Sequence, residues 1–136
     1  MSLLQIADTN PTITSPDATV QEAMQKMLDN GVGAVCVLDS ERRVAGIFTE
    51  RDVMRELATR GFDPKKTLVR DLMTSEVEMA TEQTSEEEAL EIMLVRHYRH
   101  LPIIDSDTKL LGMLSIRHVF DARIDELLEQ LRGARR

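Results

Sequence analysis

The residues best placed to do chemistry are Thr49, Arg51 and Asp52, in the stretch Gly46-Ile47-Phe48-Thr49-Glu50-Arg51-Asp52. An apolar run ends at Phe48 and a helix start follows, with Thr49 as its N-cap. A helix start offers unpaired backbone N–H groups and the positive end of the dipole, which suit an anion such as phosphate. Thr49 adds a hydroxyl there and Arg51 a charged donor. Asp52 brings a carboxylate that can accept two hydrogen bonds from neighbouring hydroxyls, as on a ribose. Phosphate donors and a diol acceptor on one turn of helix would make a nucleotide grip. Thr49-x-x-Asp52 is also the spacing of a plain capping arrangement.

These residues sit inside a chain that repeats itself. Shifted by 66 positions, the sequence matches itself without a gap: Glu22-Ala23 falls on Glu88-Ala89, Met27-Leu28 on Met93-Leu94, Asp39-Ser40 on Asp105-Ser106, and Gly46 on Gly112. Thr19-x-x-Glu22 and Ser85-x-x-Glu88 are capping boxes, so each opens a helix. Ala23, Met24, Met27 and Leu28 then follow at helical spacing, ending near Gly31, with Ala89, Leu90, Met93 and Leu94 as counterparts. The apolar runs Ala34–Leu38 and Leu101–Ile104 predict buried strands. Polar turns lead to second strands over Val44–Phe48 and Leu110–Leu114, and closing helices start at Thr49 and Ser115. Short extended pieces, near Thr12–Thr14 and Val77–Ala80, precede the capping boxes; short turns at Leu3–Ala7 and Val69–Met73 open the repeats. The fold class is therefore α+β, two β-α-β-β-α units spanning residues 1–65 and 66–125, with an extended helix and tail over 126–136. That helix carries an apolar stripe, Ile124, Leu127, Leu128 and Leu131, which calls for a covering surface.

Composition removes several functions. With 17 basic against 24 acidic residues the net charge is −7, wrong for a non-specific nucleic-acid or anionic-membrane binder but compatible with one local basic pocket. No apolar stretch reaches the ~20 residues of a membrane span, and the N-terminus lacks a secretory pattern, so a soluble, cytoplasmic protein is expected. The one cysteine, Cys36, lies in an apolar run and reads as a core residue. His97, His100 and His118 have no cysteine or carboxylate at ligand spacing, so no metal is expected. There is no nucleophile–base pair and no phosphate loop, so no catalysis is expected.

The duplicated pattern, with Gly46-Ile47-Phe48-Thr49-x-x-Asp52 closing one unit and Arg99-His100-Leu101-Pro102-Ile103-Ile104-Asp105 in the other, resembles a tandem cystathionine-β-synthase (CBS) domain pair, or Bateman module, over residues 1–125. The resemblance implies two units packed through their sheets with pseudo-twofold symmetry, in a disc-shaped homodimer. It implies a cleft for AMP, ADP, ATP or NAD as ligand, with no cofactor required. Asp52 would hold the ribose hydroxyls, Thr49 and Arg51 would meet phosphate, and backbone and apolar atoms around Ala34 and Val35 would flank the adenine. Tyr98, Arg99 and His100 would face the same ligand, Arg99 as a second phosphate contact. In the second copy Ser115 and Arg117 are kept, but His118 replaces the aspartate and cannot accept from a diol as a carboxylate does. That cleft is expected to be weak, empty or differently occupied. The expected role is a regulatory sensor signalling within a dimer or to a separate effector protein; the alternative is an interaction module with a vestigial cleft.

Overall fold

The structure is a computed structural model and describes residues 2–134. The first repeat contains α1 (Leu3–Ile6), β1 (Ile13–Thr14), α2 (Val20–Asn30), β2 (Ala34–Leu38), β3 (Val44–Thr49) and α3 (Glu50–Thr59). The second contains α4 (Val69–Leu72), β4 (Ala80–Thr81), α5 (Glu86–Arg96), β5 (His100–Ile104), β6 (Leu110–Ser115) and α6 (Ile116–Ala134). Each repeat forms one three-stranded sheet, β1-β2-β3 and β4-β5-β6, with the first pair parallel and the second antiparallel. This is the expected mixed α+β architecture. β5 begins one residue earlier than the apolar run suggests, because His100 pairs with Ser115 across the hairpin.

Local chemistry accounts for the elements. Thr19 and Ser85 both form reciprocal capping boxes with Glu22 and Glu88. Gly31 closes α2 in the left-handed conformation, and His97 does the same for α5 at φ 59°. All five residues of β2 are buried because both of its faces are covered. Val35 and Val37 join Val20, Ala23, Phe48 and Val53 in the core under α2 and α3. Ala34, Cys36 and Leu38 face the other way and meet Ile47 and Met113, joining the two sheets. Burial pushes the Cys36 thiol up to about 12, so it stays a protonated core residue.

The short helices exchange places. α1 opens the first repeat, yet Leu3, Leu4, Ile6 and Ala7 pack into the core of the second. α4 opens the second repeat, yet Val69, Leu72 and Met73 pack into the core of the first. Sequence repeat and packing unit therefore differ by one helix. Beyond each short helix the chain crosses a sheet edge and pairs with it. Asp8 exchanges two backbone hydrogen bonds with Met113 (3.0 and 2.9 Å), and Thr74 exchanges two with Ile47 (3.0 and 3.0 Å). The 66-residue shift maps one crossing on the other. Glycine is required where they pass. A Cβ on Gly46 would lie 2.7 Å from the Thr74 carbonyl oxygen, and one on Gly112 3.0 Å from that of Asp8.

Gly46→Ala should therefore lower stability by about 2 kcal/mol, as an overpacked contact against backbone does. Gly133→Ala, where a Cβ meets nothing within 4 Å, should stay within about 1 kcal/mol of the parent. Urea unfolding of the two variants checks this; equal stabilities would show that the crossing is not tightly packed.

Candidate functional site

The crossing at Thr74 leaves a cleft of about 890 Å³ between the two units. Its first wall is the start of α3: Thr49, Glu50, Arg51, Asp52 and Arg55, with Gly33 beside them. The opposite wall is the link from α5 into β5: Arg96, His97, Tyr98, Arg99 and His100. Ile47, Thr74 and Val77 also line it. Six residues singled out by sequence, Thr49, Arg51, Asp52, Tyr98, Arg99 and His100, thus share one cavity.

Ala34 and Val35 do not line it. Val35 is fully buried in the core of its own unit, and Ala34 is turned to the opposite sheet. The residue that reaches the cleft is Gly33, whose carbonyl accepts from Glu50 N–H at 3.0 Å and is thereby held against α3. The second set, Ser115, Arg117 and His118, sits at the start of α6 and does not line this cleft. Asp52 and His118 are therefore not partners across one cavity.

At the helix start the cap is built from residues that also line the cleft. Thr49 Oγ1 accepts from Asp52 N–H at 3.1 Å, and Asp52 Oδ2 accepts from Thr49 N–H at 2.9 Å. Asp52 is only 5% exposed and its Oδ1 accepts from Arg55 Nη2 at 2.8 Å. The second copy builds the same cap with imidazole: Ser115 N–H donates to His118 Nδ1 (3.0 Å) and His118 N–H to Ser115 Oγ (3.2 Å). The His118 substitution keeps the helix start and removes the carboxylate.

The cleft is a basic spot on an acidic chain. Four guanidinium groups, Arg51, Arg55, Arg96 and Arg99, line it with the carboxylates of Glu50 and Asp52. Arg55 is paired with Asp52, and Arg96 with Glu78 at 3.4 Å. Among the described residues Arg51 and Arg99 have no ion-pair partner, and they come from opposite walls. Burial lowers the His100 pKa from its ordinary value; Glu50 opposes this shift while Arg99 and His118 add to it. His100 is thus held as a neutral imidazole. Sequence reasoning missed Arg55, Arg96 and His97. The i, i+3 spacing of Asp52 and Arg55 was the available signal for one of them. Among the described residues no three metal-ligating side chains cluster, and no helix is long and apolar enough to cross a membrane.

Comparison with known proteins fits this geometry. The CBS domain model matches residues 4–59 and again 69–125. The chain belongs to the CBS domain family. It is 41% identical over 121 residues to an uncharacterized 17.7 kDa protein of Acidianus ambivalens, covering 89% of this chain and 72% of that one. It is 37% identical over 109 residues to an inosine-5'-monophosphate dehydrogenase of Methanocaldococcus jannaschii, but spans 21% of that enzyme and 80% of itself. Among solved structures it resembles a protein with CBS domains from Burkholderia ambifaria (TM-score 0.82, 30% identity, 92% and 95% of the two chains). The fold is shared by a CBS domain protein of Pyrobaculum aerophilum complexed with AMP (TM-score 0.79, 22% identity, 87% and 89% covered). It is shared too by a CBS domain pair in complex with 5'-methylthioadenosine and S-adenosyl-L-methionine (TM-score 0.81, 17% identity, 90% and 98% covered).

His100 sets a pH dependence whose sign is fixed. Its folded-state pKa lies below its ordinary 6.5, so the unfolded chain takes up the proton first. Stability is fully present above about pH 6.5 and declines as pH falls toward the folded value. Melting curves at about pH 7.5 and about pH 5.5 should show a smaller loss for His100→Gln than for the parent. An equal loss would mean that His100 is not held neutral.

Proposed function

We propose that the cleft binds an adenine nucleotide, AMP, ADP, ATP or NAD, and that the chain is a regulatory module that performs no chemistry on it. The observation that carries this reading is the pair Arg51 and Arg99, two guanidinium groups that have no ion-pair partner among the described residues and stand on opposite walls of one cavity. An anion bridging them beside the α3 N-terminus would meet charged donors from both units and the helix dipole together. Asp52 keeps lone pairs for a ribose diol. Tyr98, Ile47 and Val77 supply apolar lining for the base, the part first assigned to Ala34 and Val35. Relatives of the same fold hold AMP, or 5'-methylthioadenosine and S-adenosyl-L-methionine.

A ligand gripped from both units binds best at one separation of the walls, and that differential affinity is what shifts a conformational equilibrium. Residues 1–65 and 66–125 are the two repeats, and 126–136 an extension, residues 1, 135 and 136 lying outside the described residues. The output passes to a second copy or to a separate effector. Exposed Leu28, Leu94, Val95, Met54, Leu57 and Phe120 form apolar helix surfaces suited to a homodimer, continued on α6 by Ile124, Leu127, Leu128 and Leu131. The cleft built on Ser115, Arg117 and His118 binds the same ligand weakly or a different one.

Calorimetric titration with AMP, ATP, NAD and S-adenosylmethionine tests the reading. Asp52→Asn is the informative variant, since an amide oxygen can still cap Thr49 N–H while the charge is gone. At least one adenosine ligand should bind the parent, and Asp52→Asn should weaken it by roughly tenfold or more, the effect of losing a charge-assisted hydrogen bond. Binding unchanged in Asp52→Asn would sink the ribose assignment.

A further inference from the structure

Resting on the reading of the cleft as a nucleotide site, we infer that Arg55 determines its preference for phosphorylated ligands by neutralising Asp52. A ribose-holding carboxylate and a phosphate place like charges in one small cavity. Beside protein walls of low dielectric that repulsion is stronger than in bulk solvent. Asp52 is 5% exposed, so solvent does little to screen it. The counter-charge comes from Arg55, one turn further along α3, whose Nη2 lies 2.8 Å from Asp52 Oδ1 and whose side chain is 52% exposed. Thr49 N–H holds the other oxygen at 2.9 Å. The carboxylate is thereby fixed in orientation and cancelled in charge, and each oxygen retains a lone pair for a hydroxyl. Arg55 lines the cleft too, but its guanidinium is engaged by Asp52, and it acts on the ligand as a positioning residue through that carboxylate.

The internal repeat provides an independent comparison. His118 stands at the position of Asp52, and Asp121 at the position of Arg55. Where the carboxylate is gone, the guanidinium is gone with it, although the cap is kept. The Asp52–Arg55 pair is thus a feature of the first repeat alone, the repeat whose helix start lines the cleft. Arg55 is distinct in this from Arg51, whose counterpart Arg117 is retained.

The test compares AMP with adenosine, which differ by the phosphate alone, on the full chain and on Arg55→Gln and Arg55→Lys, at about 20 mM and about 300 mM salt. Arg55→Gln should weaken AMP on the order of tenfold and adenosine by less than about threefold, with the AMP loss shrinking at high salt. Arg55→Lys, which keeps the charge, should recover most of the AMP affinity. A variant that weakens both ligands equally, or neither, overturns the inference while leaving the cleft assignment intact. A parent that binds neither AMP nor adenosine overturns the cleft assignment and this inference with it.

Discussion

Two backbone crossings hold the rest of the molecule in place. At Asp8–Met113 and Thr74–Ile47 the chain leaves one packing unit, pairs with its sheet edge, and enters the other. Each crossing needs a glycine beneath it. Because α1 and α4 are buried in opposite units from those they introduce, the two repeats are interlocked rather than merely abutted. The cleft follows from this. The walls built by α3 and by the α5–β5 link face each other, with Thr74 and Val77 lining the cleft between them.

Within that frame, one local device serves two purposes. The capping box at Thr49 and Asp52 satisfies orphan donors at a helix start and simultaneously sets a carboxylate at the cleft wall. The second repeat shows that the structural part is separable: a histidine caps α6 with the same two hydrogen bonds. Capping and ligand binding were competing readings of Thr49-x-x-Asp52, and the cap is present without displacing the other reading. A carboxylate has room for both, whereas imidazole Nδ1, once it accepts from Ser115 N–H, has no lone pair left to share.

Much of the fold was legible in the chain. The 66-residue repeat, the capping boxes and the apolar runs led directly to two matching units, since each rests on spacing within a few residues. The cleft was legible on the walls that carry motifs, Thr49 to Asp52 and Tyr98 to His100. That the side chains of Ala34 and Val35 turn away from it, leaving the adjacent Gly33 at its wall, was not legible, because β2 is apolar on both faces and no alternation marks which side chains turn toward which layer. The exchange of α1 and α4 was invisible for another reason: a short helix of four residues has the same local pattern whichever core it enters. Arg55 falls in no motif, and its contact with the buried carboxylate of Asp52 gives it weight.

The central claim is that one ligand is held by both units at once. Backbone amide chemical-shift mapping during AMP titration tests it most directly. The account predicts concerted shifts at Thr49–Asp52 and at Arg96–His100, saturating at the same AMP concentration, with Ser115–His118 responding less or only at higher concentration. Shifts confined to one wall, or strongest at Ser115–His118, would contradict it.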